Sequence, residues 1–352
     1  MTGALPTRRI EEWKYSDLAR ALGDAGFGED SAAVRLGPVP QGVETFSLDE
    51  ANKPAWVRAH YGKLPANSVS AVSLAKARGG IALRVHKNKH IEAPLTLDFT
   101  GHGHVRALLV LEEGASLTLM ERCDSAETRN AGFEIVLGPN ARLDHVRIAP
   151  NSSAVQVEEI SMTMADGAQY RAHFANFGAK LSRLELAVAL QGVGSAADLS
   201  GVSVLSGTGH ADITSHVTHE VGETQSIQLF KKVVGGGGQA VYQGKVTVKP
   251  DADGSDSRQT AKALLLGARA EADLKPELEI LADDVKCAHG AAVGDLDADS
   301  LFYLRARGIP EQDARHLLLH AFLEDAIAGI GNTDLREAVR GMVGQALDQV
   351  TA

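Results

Sequence analysis

Turns rich in glycine, asparagine and aspartate recur along the middle of the chain at a nearly constant interval. Ala115 in EEGASL, Ala141 in GPNARL, Ala168 in ADGAQY and Ala196 in GVGSAADL follow one another at spacings of 26, 27 and 28 residues. Each interval holds two or three short β-rich runs, too few to bury a hydrophobic face alone. Such units must stack to make a continuous interior, so the period predicts a parallel β-helix. A β-sandwich, with turns at about every 8 to 12 residues, is the alternative interpretation.

Period and composition divide the chain into three regions. We predict an N-terminal helical region over residues 1–77, a parallel β-helix core over 78–282 and a C-terminal helical region over 283–352. The fold class is thus mainly β, a solenoid flanked by helices. The C-terminal helices are expected either to cap the open end of the solenoid or to provide a docking surface for a partner.

Each terminal region contains a helical pattern. The stretch TRRIEEWKYSDLARAL predicts one helix with Thr7 as its N-cap. Near the other end, Pro310 occupies the favoured first-turn position of a further helix. The apolar stripe of that helix consists of Ala314, Leu317, Leu318, Ala321 and Phe322.

Charge and composition exclude several classes of function. The formal net charge of −10 argues against nucleic acid as a partner, because phosphate binding needs clustered lysine and arginine. No apolar run reaches the roughly 18 residues of a membrane helix, and the N-terminus lacks a secretory signal pattern. We therefore expect a cytoplasmic protein with no membrane partner. The two cysteines, Cys123 and Cys287, are expected to be reduced thiols, and their number excludes a four-thiolate metal site within one chain.

The glycine-rich stretch GGGGQAVYQGKVTV does not match a phosphate-binding loop. Gly238 and Gly244 are separated by five residues where a P-loop has four, and Lys245 is followed by Val246 instead of Ser or Thr. A tight coil or bulge between strands is the favoured interpretation.

Three histidines in HADITSHVTHE raise the question of a metal site. On an extended strand, alternate residues face opposite sides, which puts His210 and His216 on one face and His219 on the other. The imidazoles would not converge, so a polar outer strand face is favoured over a metal site.

The stretch DDVKCAHGAAVG places Cys287 and His289 two residues apart. If this segment is extended, the thiol and the imidazole share a face and could contribute two ligands to a transition-metal site, although they cannot complete one. A buried structural cysteine and a catalytic nucleophile are the other interpretations. The sequence identifies neither an oxyanion hole nor an orienting group for a nucleophile.

Several stretches together resemble the SufD family, a subunit of the bacterial SUF machinery that assembles iron–sulfur clusters. They are PTRRIEEWKYSDL at the N-terminus, HVTHE, YQGKVTV, the SRQT of SDSRQT, and the long block KALLLGARAEADLKPELEILADDVKCAHGAAVGDLDADSLFYLRARGI. The resemblance covers both ends and residues 210–330 almost continuously, whereas residues 30–200 match only in pattern. One departure is VVGGGGQAVYQGK, which is richer in glycine than the acidic turn usual in the family.

The resemblance implies a right-handed parallel β-helix that pairs with the paralogue SufB, and a helical tail that holds the ATPase SufC. It assigns Cys287 and His289 to the CxH positions of the family near the heterodimer interface, as ligands of iron or a cluster shared with SufB. It implies that the chain alone binds no cofactor stably and that iron or a cluster is held only transiently. The SufC contact is assigned to the helix stripe of Ala314, Leu317, Leu318, Ala321 and Phe322. Whether the isolated chain forms a homodimer stays open.

Two alternatives remain beside a non-enzymatic SufD-like scaffold. SufB itself is typically longer and richer in cysteine. A β-helix enzyme acting on polysaccharides would need paired carboxylates, but the adjacent Asp283 and Asp284 would point to opposite faces of a strand, and aromatic residues make up only 5% of the chain.

Overall fold

The computed structural model describes residues 5–28, 31–64, 68–123 and 126–351. Within these residues the strands are β1 (Ala33–Leu36), β2 (Val43–Ser47), β3 (Gly79–Val85), β4 (His90–Thr100), β5 (Gly103–Leu111), β6 (Ser116–Cys123), β7 (Arg129–Leu137), β8 (Arg142–Ala149), β9 (Val155–Met164), β10 (Gln169–Asn176), β11 (Leu181–Leu190), β12 (Ala196–Leu205), β13 (His210–His219), β14 (Gln225–Val234), β15 (Gln239–Val248), β16 (Asp256–Leu265), β17 (Glu271–Ile280) and β18 (Lys286–Gly294). The helices are α1 (Leu18–Leu22), α2 (Ala55–His60), α3 (Ser68–Lys76), α4 (Ala298–Ala306), α5 (Glu311–Ile327) and α6 (Thr333–Thr351).

The strands form two nine-stranded sheets. From β3 onward the chain alternates between them, so that even-numbered strands build sheet A and odd-numbered strands build sheet B. Neighbouring strands within each sheet are parallel except at one end, where β1 runs antiparallel to β4 and β2 antiparallel to β3. This arrangement is a parallel β-solenoid of about eight turns with helices at both termini, which confirms the predicted fold class.

A column of residues with left-handed backbone sits at the turns that lead from sheet B to sheet A. It comprises Asn88, Gly114, Asn140, Gly167, Gly194, Glu223 and Gly254, with φ between 55° and 75°. After Gly114, Asn140 and Gly167 the next residue is small and buried, namely Ala115, Ala141 and Ala168. In the next coil that position is Ser195, not the predicted Ala196, because Ala196 already lies in β12 opposite Gln169. The repeat was therefore predicted correctly to within one residue.

The N-terminal segment is not the single helix that the sequence predicts. A 3₁₀ turn, Glu11–Trp13, precedes α1, and Asp17 caps α1 by accepting a hydrogen bond from the Arg20 amide at 3.0 Å. The predicted cap, Thr7, only accepts a long bond of 3.4 Å from the Arg9 amide.

Contacts with sheet B explain why this helix is interrupted. The Arg183 guanidinium lies 4.0 Å from the centre of the Trp13 ring, and the Ser16 hydroxyl donates to Asp212 at 2.5 Å. Because Trp13, Ser16 and Asp212 are all buried, the segment follows the sheet instead of continuing its own helical ladder.

The C-terminal helices α5 and α6 pack on the outer face of sheet A, along the flank of the solenoid. Their buried side chains, including Leu323 and Val343, join Ile148, Val202 and Val233 of the sheet in one apolar cluster. The expectation that these helices cap the open end is therefore wrong. None of the described helices combines the length and the apolar character needed to cross a membrane.

The glycine-rich stretch forms the turn between β14 and β15, as expected from its lack of a phosphate-loop pattern. A Cβ at Gly235 would lie 2.6 Å from Cγ1 of Val350 in α6. The missing side chain thus allows the end of α6 to reach the corner of the solenoid.

Candidate metal and subunit-interface site at the open end

The last coil of the solenoid carries the Cys–x–His stretch. Strand β18 pairs with β16, which sets Cys287 opposite Ser257 and His289 opposite Gln259. Both β16 side chains are buried inside the solenoid. Since in-register neighbours in a parallel sheet face the same side, Cys287 and His289 both project towards the interior face at the end of the stack. The sequence places this stretch in the region beginning at residue 283, whereas the structure makes it the final strand and starts the helices at Ala298.

The two side chains differ in environment. Cys287 is half-buried and packs against Val246, Val248 and Ala252, whereas His289 is exposed. Burial raises the pKa of the Cys287 thiol, and a backbone hydrogen bond from Ser257 only partly opposes this effect. A thiol of raised pKa is a poor nucleophile at neutral pH, which argues against the catalytic interpretation and leaves a packing or a ligand role.

Strand β18 has a free edge. The Lys286 amide donates at 2.9 Å to the carbonyl of Ser255, the residue just before β16. The backbone N–H and C=O groups of successive residues in a parallel strand point in alternate directions. The N–H and C=O groups of Cys287, His289, Ala291 and Val293 therefore point away from β16. In the order of sheet A no described strand follows β18.

Strand β17 forms the corresponding edge of sheet B. The Glu271 amide donates to the Gly238 carbonyl, just before β15, at 3.0 Å. The Leu281 amide, just after β17, donates to the Val248 carbonyl of β15 at 2.9 Å. The backbone groups of the intervening even-numbered residues therefore face the open side. Pro276 is one of them and has no N–H to offer there. Proline is tolerated in strands at such edges. The free edge of sheet A is thus the better hydrogen-bonding surface.

A buried hydrogen-bonded chain lies behind Cys287. The Ser257 and Ser226 hydroxyls are 2.8 Å apart, and Ser226 lies 2.9 Å from Nε2 of His219. Nδ1 of His219 lies 2.7 Å from the Thr224 hydroxyl. Burial lowers the pKa of His219 to about 4, so this imidazole is neutral at pH 7. This hydrogen-bonded chain is therefore polar and uncharged.

A second cluster lies deeper in the solenoid. Among the described residues, Glu121, Cys123 and Glu158 form the one group of three whose potential ligand atoms all lie within 4.8 Å of one another. The guanidinium of Arg147 already binds both carboxylates, at 2.8 Å to Glu121 and 2.6 Å to Glu158. Burial raises the pKa of Glu158 to about 7 despite that cation. The cluster is a buried ion-pair network in which the arginine, and not a metal ion, is the cation bound by the two carboxylates.

The three histidines of β13 do not converge, as the alternation predicts. His210 lies 3.0 Å from the Ser16 hydroxyl, and His216 lies 3.1 Å from that of Thr247. His219 faces the interior, where it belongs to the chain behind Cys287.

The predicted docking stripe of α5 is divided between two faces. Ala314 is buried against the rest of the protein and Leu318 and Phe322 are half-buried, whereas Leu317, 52% exposed, and Ala321 face outward. Phe302 and Tyr303 of α4 are 73% and 58% exposed, and neither was among the predicted docking residues. The sequence did carry a signal for this exposed pair. SLFYLRARG places two aromatic residues next to each other, and a short helix cannot bury both.

The SufBD core domain model of SUF-system FeS cluster assembly matches residues 99–322. The chain belongs to the SufBD family. SufD of Escherichia coli (strain K12) is 29% identical over 384 residues, covering 97% of this chain and 89% of that protein. A SufBD family protein of Synechocystis is 29% identical, with 96% and 87% covered, and SufD of Bacillus subtilis is 26% identical, with 75% and 63% covered.

These findings confirm the resemblance seen in the sequence. The matched span of this SufBD-family chain contains the buried ion-pair network, the open end with Cys287 and His289, and most of α5. It is a SufD-like iron–sulfur cluster assembly protein.

Proposed function

We propose that this chain is a non-catalytic scaffold subunit that works in the cytoplasm with a SufB-type and a SufC-type partner. Its open end pairs with the SufB-type subunit, and the interface transiently holds iron or a nascent cluster as cargo. The observation that carries the proposal is the free edge of β18, which presents Cys287 and His289 from one face.

Pairing through the open end follows from its exposed backbone and its apolar side chains. Unpaired strand edges accept a further strand, and proteins normally blunt or cover them. Ile280, Leu281 and Val293 are large apolar side chains that remain exposed at this end. A partner strand laid along β18 would satisfy its backbone groups and bury Val293.

Cluster or iron binding at this interface needs ligands from both subunits. One thiolate and one imidazole leave at least two positions of a tetrahedral site unfilled. The Cys287 thiol is protonated without a ligand, so metal binding would displace its proton and depend on pH. That requirement fits a transient site better than a permanent one.

The SufC-type ATPase is assigned to the outward surface of α4 and α5. Phe302, Tyr303 and Leu317 are exposed large side chains on neighbouring helices. The buried Ala314 is no longer part of the assignment.

Leu317→Glu is expected to lose the ATPase subunit on co-purification without changing the thermal midpoint of the free chain. Gln349→Glu, on the exposed side of α6, is the matched control.

The pairing is tested by placing a proline on the free edge. Ala291→Pro removes an amide that points away from β16, so the isolated chain should fold while the SufB-type partner no longer co-purifies. Ala298→Pro is the control, because the first position of α4 tolerates proline. Retention of the partner by a folded Ala291→Pro chain would refute pairing through β18.

A further inference from the structure

Two imidazoles and a carboxylate meet at the seam between α5 and α6, far from the Cys–x–His stretch in sequence. His316 and His320 lie one turn apart on α5, and their ring centroids are 4.7 Å apart at 72°. Nε2 of His316 lies 3.1 Å from Oδ1 of Asp348 on α6. Imidazoles four residues apart on one helical face are a recurrent arrangement for zinc.

The contact between His316 and Asp348 lacks the geometry of a hydrogen bond. Nε2 of His316 is buried yet has no hydrogen-bond partner, although the carboxylate oxygen is only 3.1 Å away. Two ligand atoms on one tetrahedral zinc ion, each bonded at about 2.0–2.1 Å, lie about 3.3 Å apart. The separation of these two atoms is therefore compatible with two ligands on one ion.

His320 lies against the same strip of α6. A Cβ at Gly344, one turn before Asp348, would lie 3.6 Å from Cε1 and 3.7 Å from Nε2 of the His320 ring. The glycine thus leaves room for the imidazole to rest on α6. Glu324, one turn further along α5, is already paired with Arg340 and is not a free ligand.

We propose that His316, His320 and Asp348 bind one divalent transition-metal ion of borderline softness, such as Zn²⁺, with water completing the coordination. The three ligand atoms do not all lie within 4.8 Å of one another, so binding requires the His320 ring to turn towards the other two. The ion would then clamp α5 to α6 and fix the helix that carries Leu317. The site is independent of the function proposed above and shares no residue with it.

The test uses the full-length chain without an affinity tag, carrying Cys287→Ser and His289→Ala to remove the other metal-ligating pair. Zinc chloride is titrated by calorimetry at pH 7.5, and cobalt(II) reports coordination through its visible absorption. One ion per chain is expected. Loss of His316 or His320 to alanine should weaken binding by about tenfold or more, since even second-shell changes cost 10–100-fold. Binding should weaken in acid, because metal ligands must be deprotonated to bind.

His86→Ala is the matched control, because His86 also lies near two carboxylates, Glu44 and Glu112, but is in ring contact with no second imidazole among the described residues. It should leave zinc binding unchanged. Asp348→Asn gives an independent variant at an exposed position if either α5 substitution disturbs folding. Zinc should also raise the thermal midpoint of the parent chain but not of His320→Ala. The proposal is overturned if the parent binds no zinc, or if the His316, His320 and Asp348 variants bind it as tightly as the parent.

Discussion

At the scale of single residues, the ion pairs of Arg147 predict a large loss of stability when this residue is replaced. Its guanidinium is buried and pairs with Glu121 and Glu158, so Arg147→Met leaves two carboxylates without a cation. Breaking a buried pair in this way typically costs about 3–5 kcal/mol. The midpoint of urea unfolding, followed by circular dichroism, should fall sharply. Arg122→Met removes an exposed pair with Asp98 and should cost at most about 1 kcal/mol; equal effects of the two changes would contradict this account.

The buried histidines predict a dependence of stability on pH. Burial lowers the pKa of His173 to about 4 and that of His219 to about 4. The unfolded chain takes up protons on both below about pH 6.5, whereas the folded chain does not until about pH 4. The contribution of these two histidines to the free energy of unfolding is therefore fully present above pH 6.5 and is lost as the pH falls towards 4. Each residue contributes up to about 1.4 kcal/mol per pH unit.

This dependence is measured by comparing variants, because Glu158 acts in the opposite direction. Its raised pKa, about 7, means that protonation stabilises the folded chain as the pH falls through the same range. His219→Gln should lose less stability than the wild type between pH 7 and pH 5. His86→Gln changes an exposed imidazole and should follow the wild type. Parallel losses in the wild type and His219→Gln would show that His219 does not titrate as proposed.

Sequence patterns predict these residues unevenly. The shared face of Cys287 and His289 follows from the two-residue period of a strand, which is a local property. The network of Glu121, Arg147 and Glu158 brings together residues from three strands, and no pattern within one strand reports which charge meets which. Charged residues are usually exposed, so their burial here contradicts the general expectation.

At the scale of elements, the column of residues with left-handed backbone predicts which glycines at the turns can be replaced. Gly167 has φ of 64°, and a Cβ there would lie 2.4 Å from Oδ1 of Asn140 in the coil below. Gly167→Ala should lower stability by about 1–3 kcal/mol through backbone strain alone. Gly341→Ala, in an open position of α6, should instead raise stability by about 0.5–1 kcal/mol. The measurement is the thermal midpoint of each variant compared with that of the wild type. A lower midpoint for both variants, or for neither, would be inconsistent with the turn geometry.

Element types were more predictable than element faces. The turn spacing was enough to predict stacked coils, because each coil repeats the same local turn. The helix predicted from Thr7 was wrong because Trp13 and Ser16 are held by sheet B, a contact that is distant in sequence. On α5, the stripe ending at Phe322 was assigned to a partner, but Ala314 is buried within the chain and Phe322 packs against the apolar cluster on sheet A. A helical period indicates that one face is buried and not what covers it.

At the scale of the whole molecule, the two ends of the solenoid are built differently. Antiparallel β1 and β2 lie at the edges of the two sheets at one end, whereas β17 and β18 form edges without a further described strand at the other. Helices α5 and α6 pack along the flank, and Ile280, Leu281 and Val293 at the open end stay exposed. The repeat predicted the solenoid, but which end stays open depends on where the helices pack, and this could not be read from the period.

We propose that the open end is half of a shared iron–sulfur site. The most direct measurement is the iron and acid-labile sulfide content of the complex of this chain with the proposed SufB-type and SufC-type partners, co-expressed and purified without oxygen. Cys287→Ser and His289→Ala are compared with Cys123→Ser, which changes the cysteine buried deep in the solenoid. The account predicts that all complexes assemble, that the two open-end variants lose iron and sulfide, and that Cys123→Ser retains them. Unchanged iron and sulfide in both open-end variants would contradict it and leave Cys287 and His289 as packing residues.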